Sequence, residues 1–353
     1  MDAIAKRTLR TPDDLLSAGL ISPDQIATLT QVADRYATAI SPSVLDLMGS
    51  EANPAPLIRQ FVPSAEELHT APEELSDPIG DHNHSPVKGI VHRYPDRALL
   101  MPTLVCPVYC RFCFRREAVG PEGGALTAAQ LDAAISYIRK TPEIWEVILT
   151  GGDPLILSAR RISEILTALE GIPHVKIIRI HSRVPIATPH SIDAALISAL
   201  KNISKPVYIA IHCNHASELS PDVTEACARL SDAGIPLLSQ TVLLKGVNDS
   251  VEALEALMRA LVALRIKPYY LHQLDFAPGT SHFRVPLDKG QALVKSLRGR
   301  LSGLAQPTYM LDIPGGAGKV PLTPSHMSKN QQGVTSIESP NGTVRPYSPP
   351  TSH

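Results

Sequence analysis

Short apolar runs alternate along most of this chain with longer stretches whose apolar positions recur every three to four residues. The runs fall at 98–104, 147–150, 175–181, 207–212, 237–243 and 269–274. They are continuous rather than alternating, as in strands buried on both faces. Between them, Leu131, Ala134, Ile135 and Ile138 mark one helix face behind a Thr127-x-x-Gln130 capping box. Ile162, Ile165, Leu166 and Leu169 repeat that spacing, as do Leu254, Leu257, Met258 and Leu261. Strand–helix alternation of this kind predicts a parallel sheet with crossover helices. Six units rather than eight predict an incomplete (β/α)6 TIM-like barrel in an α/β chain. A doubly wound open sheet satisfies the same periodicity.

The ends of the chain read differently. Residues 1–85 predict a helical N-terminal extension, with a capping box at Ser22-Pro23-Asp24-Gln25 and proline at the first helical position. The extension closes on a strap rich in Pro, Glu and His that runs through Asp81-His82-Asn83-His84. Residues 86–325 carry the barrel pattern, and 326–353 are polar. In that last stretch, 334–337 and 343–347 flank Asn341-Gly342, a favoured hairpin turn, although a disordered tail fits the composition equally.

Charge and cysteine usage narrow the class. With 33 basic and 34 acidic residues the net charge is −1, which argues against a nucleic-acid footprint. The first residues lack an apolar signal core, and no apolar run approaches the roughly 18 residues of a membrane span. Two of the five cysteines, Cys213 and Cys227, are isolated, so no disulfide framework is expected. These features predict a cytoplasmic protein that engages neither membrane nor nucleic acid.

The other three cysteines carry the strongest signal. Cys106, Cys110 and Cys113 are spaced C-x3-C-x2-C. Three close thiolates can hold three irons of a [4Fe–4S] cluster and leave the fourth open to a cosubstrate, the signature of radical S-adenosylmethionine enzymes. A structural zinc site would want four ligands, and a bacterial ferredoxin run has a different spacing. Further polar residues gather where the strands end: Gly151-Gly152-Asp153, His181-Ser182-Arg183, His212 and Asp275. In parallel barrels that rim is where sites are built. Later comes Asp312-Ile313-Pro314-Gly315-Gly316-Ala317-Gly318-Lys319. It fails the phosphate-loop pattern, because Ile313 stands at the first glycine position and Val320 follows the lysine. What remains is a lysine on a permissive backbone, by local sequence alone a surface lysine on a flexible loop more readily than a swinging pyridoxal phosphate lysine.

Taken together, His92-Arg93-Tyr94-Pro95-Asp96-Arg97, the cysteine run with Phe114-Arg115-Arg116, Thr150-Gly151-Gly152-Asp153-Pro154-Leu155, His181-Ser182-Arg183-x-Pro185, His212-x-Asn214-His215 and the segment ending at Lys319 resemble the lysine 2,3-aminomutase family. The resemblance runs from about 85 to 325, in the family's order and spacing. It implies an isomerase that moves the α-amino group of L-lysine to the β-carbon. It also implies a [4Fe–4S] cluster on Cys106, Cys110 and Cys113, S-adenosylmethionine cleaved to a 5′-deoxyadenosyl radical, and pyridoxal phosphate on Lys319. Arg93 and Arg97 match the arginines on the cofactor phosphate, and Arg115 the arginine on the substrate carboxylate. Asp275 and Asp312 match the carboxylates that receive the ε-ammonium. Gly151, Gly152 and Asp153 match the segment beside the methionine part of S-adenosylmethionine, and His212 and Gln240 match residues near its adenosine. An electron donor such as flavodoxin or ferredoxin is implied as a partner, with room for a homo-oligomer.

Two departures accompany the resemblance. Clostridial members carry a C-terminal cysteine group for structural zinc, whereas the last cysteine here is Cys227. Cys110-Arg-Phe-Cys-Phe-Arg-Arg116 is similar to the branch whose β-lysine serves elongation factor P modification, but that branch lacks the full segment ending at Lys319. Free lysine chemistry is the reading that follows. The alternatives are the elongation factor P role and a non-catalytic iron–sulfur redox sensor, which would need none of Lys319, Arg115, Asp275 and Asp312.

Overall fold

The computed structural model describes residues 7–329, 335–340 and 342–347. Nine strands form one sheet in chain order: β1 (Ile90–Tyr94), β2 (Arg97–Thr103), β3 (Glu146–Gly151), β4 (Ile177–Ser182), β5 (Val207–His212), β6 (Leu237–Val242), β7 (Ile266–His272), β8 (Thr308–Ile313) and β9 (Gly318–Pro321). From β2 to β8 every neighbouring pair is parallel, while β1 and β9 pair antiparallel at the two edges. All six expected strands are present. Thr308–Ile313 adds a seventh parallel strand, which hydropathy hides because Asp312 interrupts its apolar run.

The helices bury the faces their spacing marks. Ala128–Lys140 turns Leu131, Ala134, Ile135 and Ile138 inward and begins with the Thr127–Gln130 capping box. Ala159–Glu170 buries Ile162, Ile165, Leu166 and Leu169, and Val251–Ala263 buries Leu254, Leu257, Met258 and Leu261. Removing each such side chain from water contributes about 1.5–3 kcal/mol, so these faces hold the helices against the sheet.

The barrel is nearly closed, and side chains bridge its edges. Tyr94 on β1 accepts a hydrogen bond from the Lys319 N–H of β9 at 2.7 Å, and Arg93 approaches Asp312 of β8 at 3.8 Å. The N-terminal extension holds helices at Pro12–Ser17, Ile26–Ala33, Pro42–Ser50 and Ala55–Phe61, with the Ser22–Gln25 capping box in place. Their apolar faces make a second core around Leu15, Val32, Val44 and Phe61 that also takes in Val108 from the cysteine loop. The strap that follows has only short 3-10 turns at Ala65–Leu68 and His82–His84. At the far end β10 (Met327–Lys329), β11 (Thr335–Glu338) and β12 (Val344–Pro346) form a small antiparallel sheet. The β11–β12 pair matches the hairpin expectation, while Val334 and Asn341 lie outside the described residues. No helix among the described residues is long and apolar enough to cross a membrane.

Candidate active site

The cysteine loop leaves the C-terminal end of β2 and has no regular structure of its own, so its shape is imposed by what it touches. The residues between the cysteines are the anchors. Val108 joins the N-terminal core, Tyr109 packs with Ala39 and Val119, and Phe112 packs with Leu244, Val247, Leu274 and Phe283. Beneath it lies a buried ion network: Glu67 of the strap accepts from Arg111 at 2.6 Å and also from Arg116. Burial works against the Glu67 charge, yet Arg111 and Arg116 hold its carboxyl below the usual range. Arg183, after β4, donates to Glu218 at 2.6 Å, to Gln60 at 2.7 Å and to the Cys110 Sγ at 2.8 Å.

The three cysteines lie deep but keep part of their surface free of neighbours. Burial, with the neighbouring thiols second, pushes the Cys113 thiol up to about 11. Cys106 rises further, through burial and then the Asp153 charge. Desolvated, mutually repelling thiols of this kind are poor free thiolates and good ligands for a cationic cluster, which removes both penalties at once. Among the described residues no three His, Cys, Asp or Glu converge on one ion. A cubane asks for something else, one thiolate on each of three irons, and the donor set fits it.

Gly151 and Gly152 close the neighbouring strand end. A Cβ on Gly152 would lie 2.4 Å from the Val105 carbonyl oxygen, and Gly151 has φ +105° with Met101 and Thr103 each 2.8 Å from its added Cβ. Only glycine lets β3 pack this close to the root of the cysteine loop. The Asp153 side chain is consumed by protein: it accepts from Leu155 N, Ser182 Oγ, Arg183 N and Val184 N at 2.6–3.1 Å. It shapes the segment rather than offering an oxygen to a ligand.

Inside the barrel, strand ends supply neutral histidines. Burial, then the Arg183 charge, lowers His212 to about 4, and its ring lies 6.2 Å from that of His181. Gln240 on β6 contacts His272 Nε2 at 3.3 Å. Among the described residues, His181 Nε2 is buried with no hydrogen-bond partner. An unpaired buried polar atom of this sort suits a ligand that completes it. Sequence reasoning does not single out His272; its place beside the strand end that leads to Asp275 is the available signal.

The remaining site residues gather around β8 and β9. Antiparallel register sets Asp312 directly across from Lys319, and the Lys319 ammonium donates to the Asp312 carboxylate. Burial, then the neighbouring Asp312, pushes the Asp275 carboxyl up to about 7. Both aspartates border a cavity of about 410 Å³ whose wall includes Gln273, Leu311, Pro314 and Pro78 of the strap. Arg93 reaches the same place, donating to the Ile79 carbonyl and to Asp81. Arg97 lies further off, stacked 3.8 Å over the Tyr94 ring and paired with Asp96. Arg115 lies over Phe114 and donates twice to Asp81, a strap residue that no sequence pattern singles out.

Comparison with known proteins identifies the family. The model of the radical SAM superfamily matches residues 100–259, and that of lysine-2,3-aminomutase matches 294–353. An L-lysine 2,3-aminomutase of Fusobacterium nucleatum is 38% identical over 348 residues, covering 99% of this chain and 82% of that protein. Another, from Acetoanaerobium sticklandii, is 39% identical over 98% of this chain and 83% of its own length. A glutamate 2,3-aminomutase of Clostridioides difficile is 38% identical over 85% of this chain and 70% of that protein. With three thiols at the strand-end rim of a parallel barrel and identity of this extent along nearly its whole length, the chain belongs to the lysine 2,3-aminomutase family of radical S-adenosylmethionine isomerases.

Proposed function

We propose that the protein converts L-lysine to β-lysine. The observation that carries this reading is the pairing of Asp275 with Asp312 at one cavity, with the Arg115 guanidinium, held by Asp81, nearby for the other end of the substrate. Percentage identity does not choose the substrate, since relatives named for lysine and for glutamate both reach 38%, over 348 and 299 residues. Local charge does choose. Two carboxylates suit a distal ammonium, and the side chain of glutamate would meet repulsion there.

When bound, the cluster with S-adenosylmethionine supplies radical initiation and pyridoxal phosphate carries the migrating nitrogen. The protein's share is placement. Cys106, Cys110 and Cys113 hold the cluster, and Arg183 sets a cation against Cys110. The Gly151-Gly152 backbone, shaped by Asp153, would lie beside the methionine part of S-adenosylmethionine, and His212 and Gln240 would serve its adenosine side. Lys319 would carry the pyridoxal phosphate and Arg93, beside Asp312, would take its phosphate with a planar multi-donor guanidinium, while Arg97 would have to leave Asp96 to join it. Arg115 receives the substrate carboxylate. Asp312 balances the Lys319 ammonium while that lysine is free, and with Asp275 receives the ε-ammonium of substrate. The N-terminal helices pack on the cysteine loop and the strap lies over the β8–β9 side through Pro78 and Asp81, where they would keep water from a bound substrate. A one-electron donor such as flavodoxin or ferredoxin serves the cluster in the cytoplasm, and self-association is compatible with this arrangement.

Anaerobic incubation of the reconstituted protein with lysine and, separately, with glutamate tests the reading by product analysis. β-Lysine alone is expected; β-glutamate alone overturns it. Borohydride reduction should trap the cofactor on the peptide containing Lys319, and label on another lysine would remove that residue's role.

A further inference from the structure

Asp81 has no part in the roles above, yet it occupies the residue assigned to substrate. Its Oδ2 accepts from Arg115 Nε at 2.9 Å and Nη2 at 2.7 Å, and its Oδ1 accepts from Arg93 Nη2 at 3.2 Å. A guanidinium presenting two nitrogens to one carboxylate is the arrangement that recognises an amino-acid carboxylate. Both partners are largely shielded, with side-chain exposures of 12% for Arg115 and 13% for Asp81. We propose that Asp81 is a specificity-determining residue: it holds Arg115 ready for a carboxylate and is the competitor that an incoming amino-acid carboxylate must displace. This inference rests on the assignment of Arg115 to the substrate carboxylate.

Charge bookkeeping makes the competition selective. A ligand carboxylate that takes Arg115 replaces one charge-assisted pair by another, so the exchange is nearly balanced. A carboxamide offers only a neutral acceptor and cannot displace Asp81 on equal terms. Two carboxylates cannot share the guanidinium's fork without repelling each other, so the ligand and Asp81 exclude one another there.

The strap sets the position of Asp81 closely. The Asp77 carboxylate accepts from the backbone N–H of Asp81 at 2.8 Å and of His82 at 2.9 Å. One residue earlier, a Cβ on Gly80 would lie 2.7 Å from the Gly315 carbonyl oxygen, and Gly315 N donates to the Pro78 carbonyl at 3.0 Å. Asp81 is therefore delivered to Arg115 by backbone packed against the loop that leads to Lys319. Its pairing with Arg115 is not a chance meeting of two mobile surface chains.

The test uses the protein carrying its cluster and pyridoxal phosphate but no S-adenosylmethionine, so that ligands bind without turnover. Dissociation constants for lysine and lysinamide are measured by calorimetry, and their ratio reports how much the carboxylate contributes. Removing the competitor in Asp81→Asn should tighten lysine roughly tenfold, the scale of one hydrogen bond to a charged group, and change lysinamide much less. The lysinamide-to-lysine ratio should rise by a similar factor. Asp81→Ala should move the ratio in the same direction, which guards against a local packing effect of either variant. A ratio that stays level or falls in both variants overturns the proposal, since Asp81 would then only position Arg115 or be inert. Arg115→Met separates this failure from that of the underlying assignment. Its ratio should collapse toward one, and a parental ratio in Arg115→Met would sink the role of Arg115 and the inference with it.

Discussion

The two halves of the site handle charge in opposite ways. Around the cysteine loop the charges are buried with fixed protein partners: Glu67 pairs with Arg111 and Arg116, and Arg183 with Glu218 and the Cys110 Sγ, each carboxylate being fully shielded from solvent. No ligand needs to break those pairs, and they clamp the loop to the N-terminal extension. Around β8 and β9 the charges are paired provisionally. Lys319 holds Asp312 and Asp81 holds Arg115, each at a group that the proposed chemistry needs for something else. A cluster that stays bound calls for a fixed cradle, whereas a substrate that comes and goes calls for charges that can be exchanged. Burial is deep on both sides, Asp312 being only 4% exposed, so what separates the two is whether a charge is also needed by the substrate.

The contrast can be broken most severely at the cradle. Replacing Cys106, Cys110 or Cys113 with Ala should abolish S-adenosylmethionine cleavage, and a triple variant that still cleaves it would remove the cluster from this loop. Glu67→Gln should then test whether the clamp is structural. It leaves Arg111 and Arg116 buried with a neutral partner, a loss of roughly 3–5 kcal/mol of stability read from a denaturant melt. A melt like that of the parent would mean that the network is not what holds the loop.

The exchangeable half should respond in turnover more than in stability. Asp275→Asn and Asp312→Asn each lose an interaction with a charged group, ~1.5–3 kcal/mol, or roughly tenfold to hundredfold in kcat/KM for lysine. The effects should not add, because both carboxylates face one ammonium. Asp312→Asn should be the more damaging of the two, since Asp312 also balances Lys319. Parental rates in both variants would place the ε-ammonium elsewhere.

The smallest effect is one of pH. Asp275, raised to about 7 by burial and by Asp312, also faces Lys319, Arg115 and Asp81. The ionised form is the one that attracts an ammonium. Lysine affinity should therefore rise as pH increases through about 7 and level off above it, by no more in total than Asp275→Asn costs. Asp275→Asn should flatten that dependence. A slope that survives in the variant would assign the titration to another group.

Much of this layout is legible in the chain itself, for identifiable reasons. Apolar periodicity reports burial directly, so the six strands from 98 to 274 and the three marked helix faces stand where the spacing puts them. The C-x3-C-x2-C spacing reports ligands that are neighbours in sequence, and their proximity needs no fold. β8 is the exception that shows the limit, because Asp312 breaks its apolar run, and a site residue is what hides the strand. The glycines show it too: Gly152 is readable as a motif position, but its contact with Val105 depends on how two strand ends meet.

By itself the sequence determined the strand–helix repeat, the thiol triad and the set of charged residues that a zwitterion with a distal ammonium requires. Tertiary structure alone decided which of those charges meet. Glu67 finds Arg111 across 44 residues and Arg183 finds Glu218 across 35. Asp81 reaches Arg115 only because Gly80 lets the strap settle on Gly315 and Gly316. The reason is physical: hydropathy patterns record whether a side chain is removed from water, which is a local property. A Coulomb pair depends on where two distant backbones bring their ends, and no spacing along the chain encodes that distance.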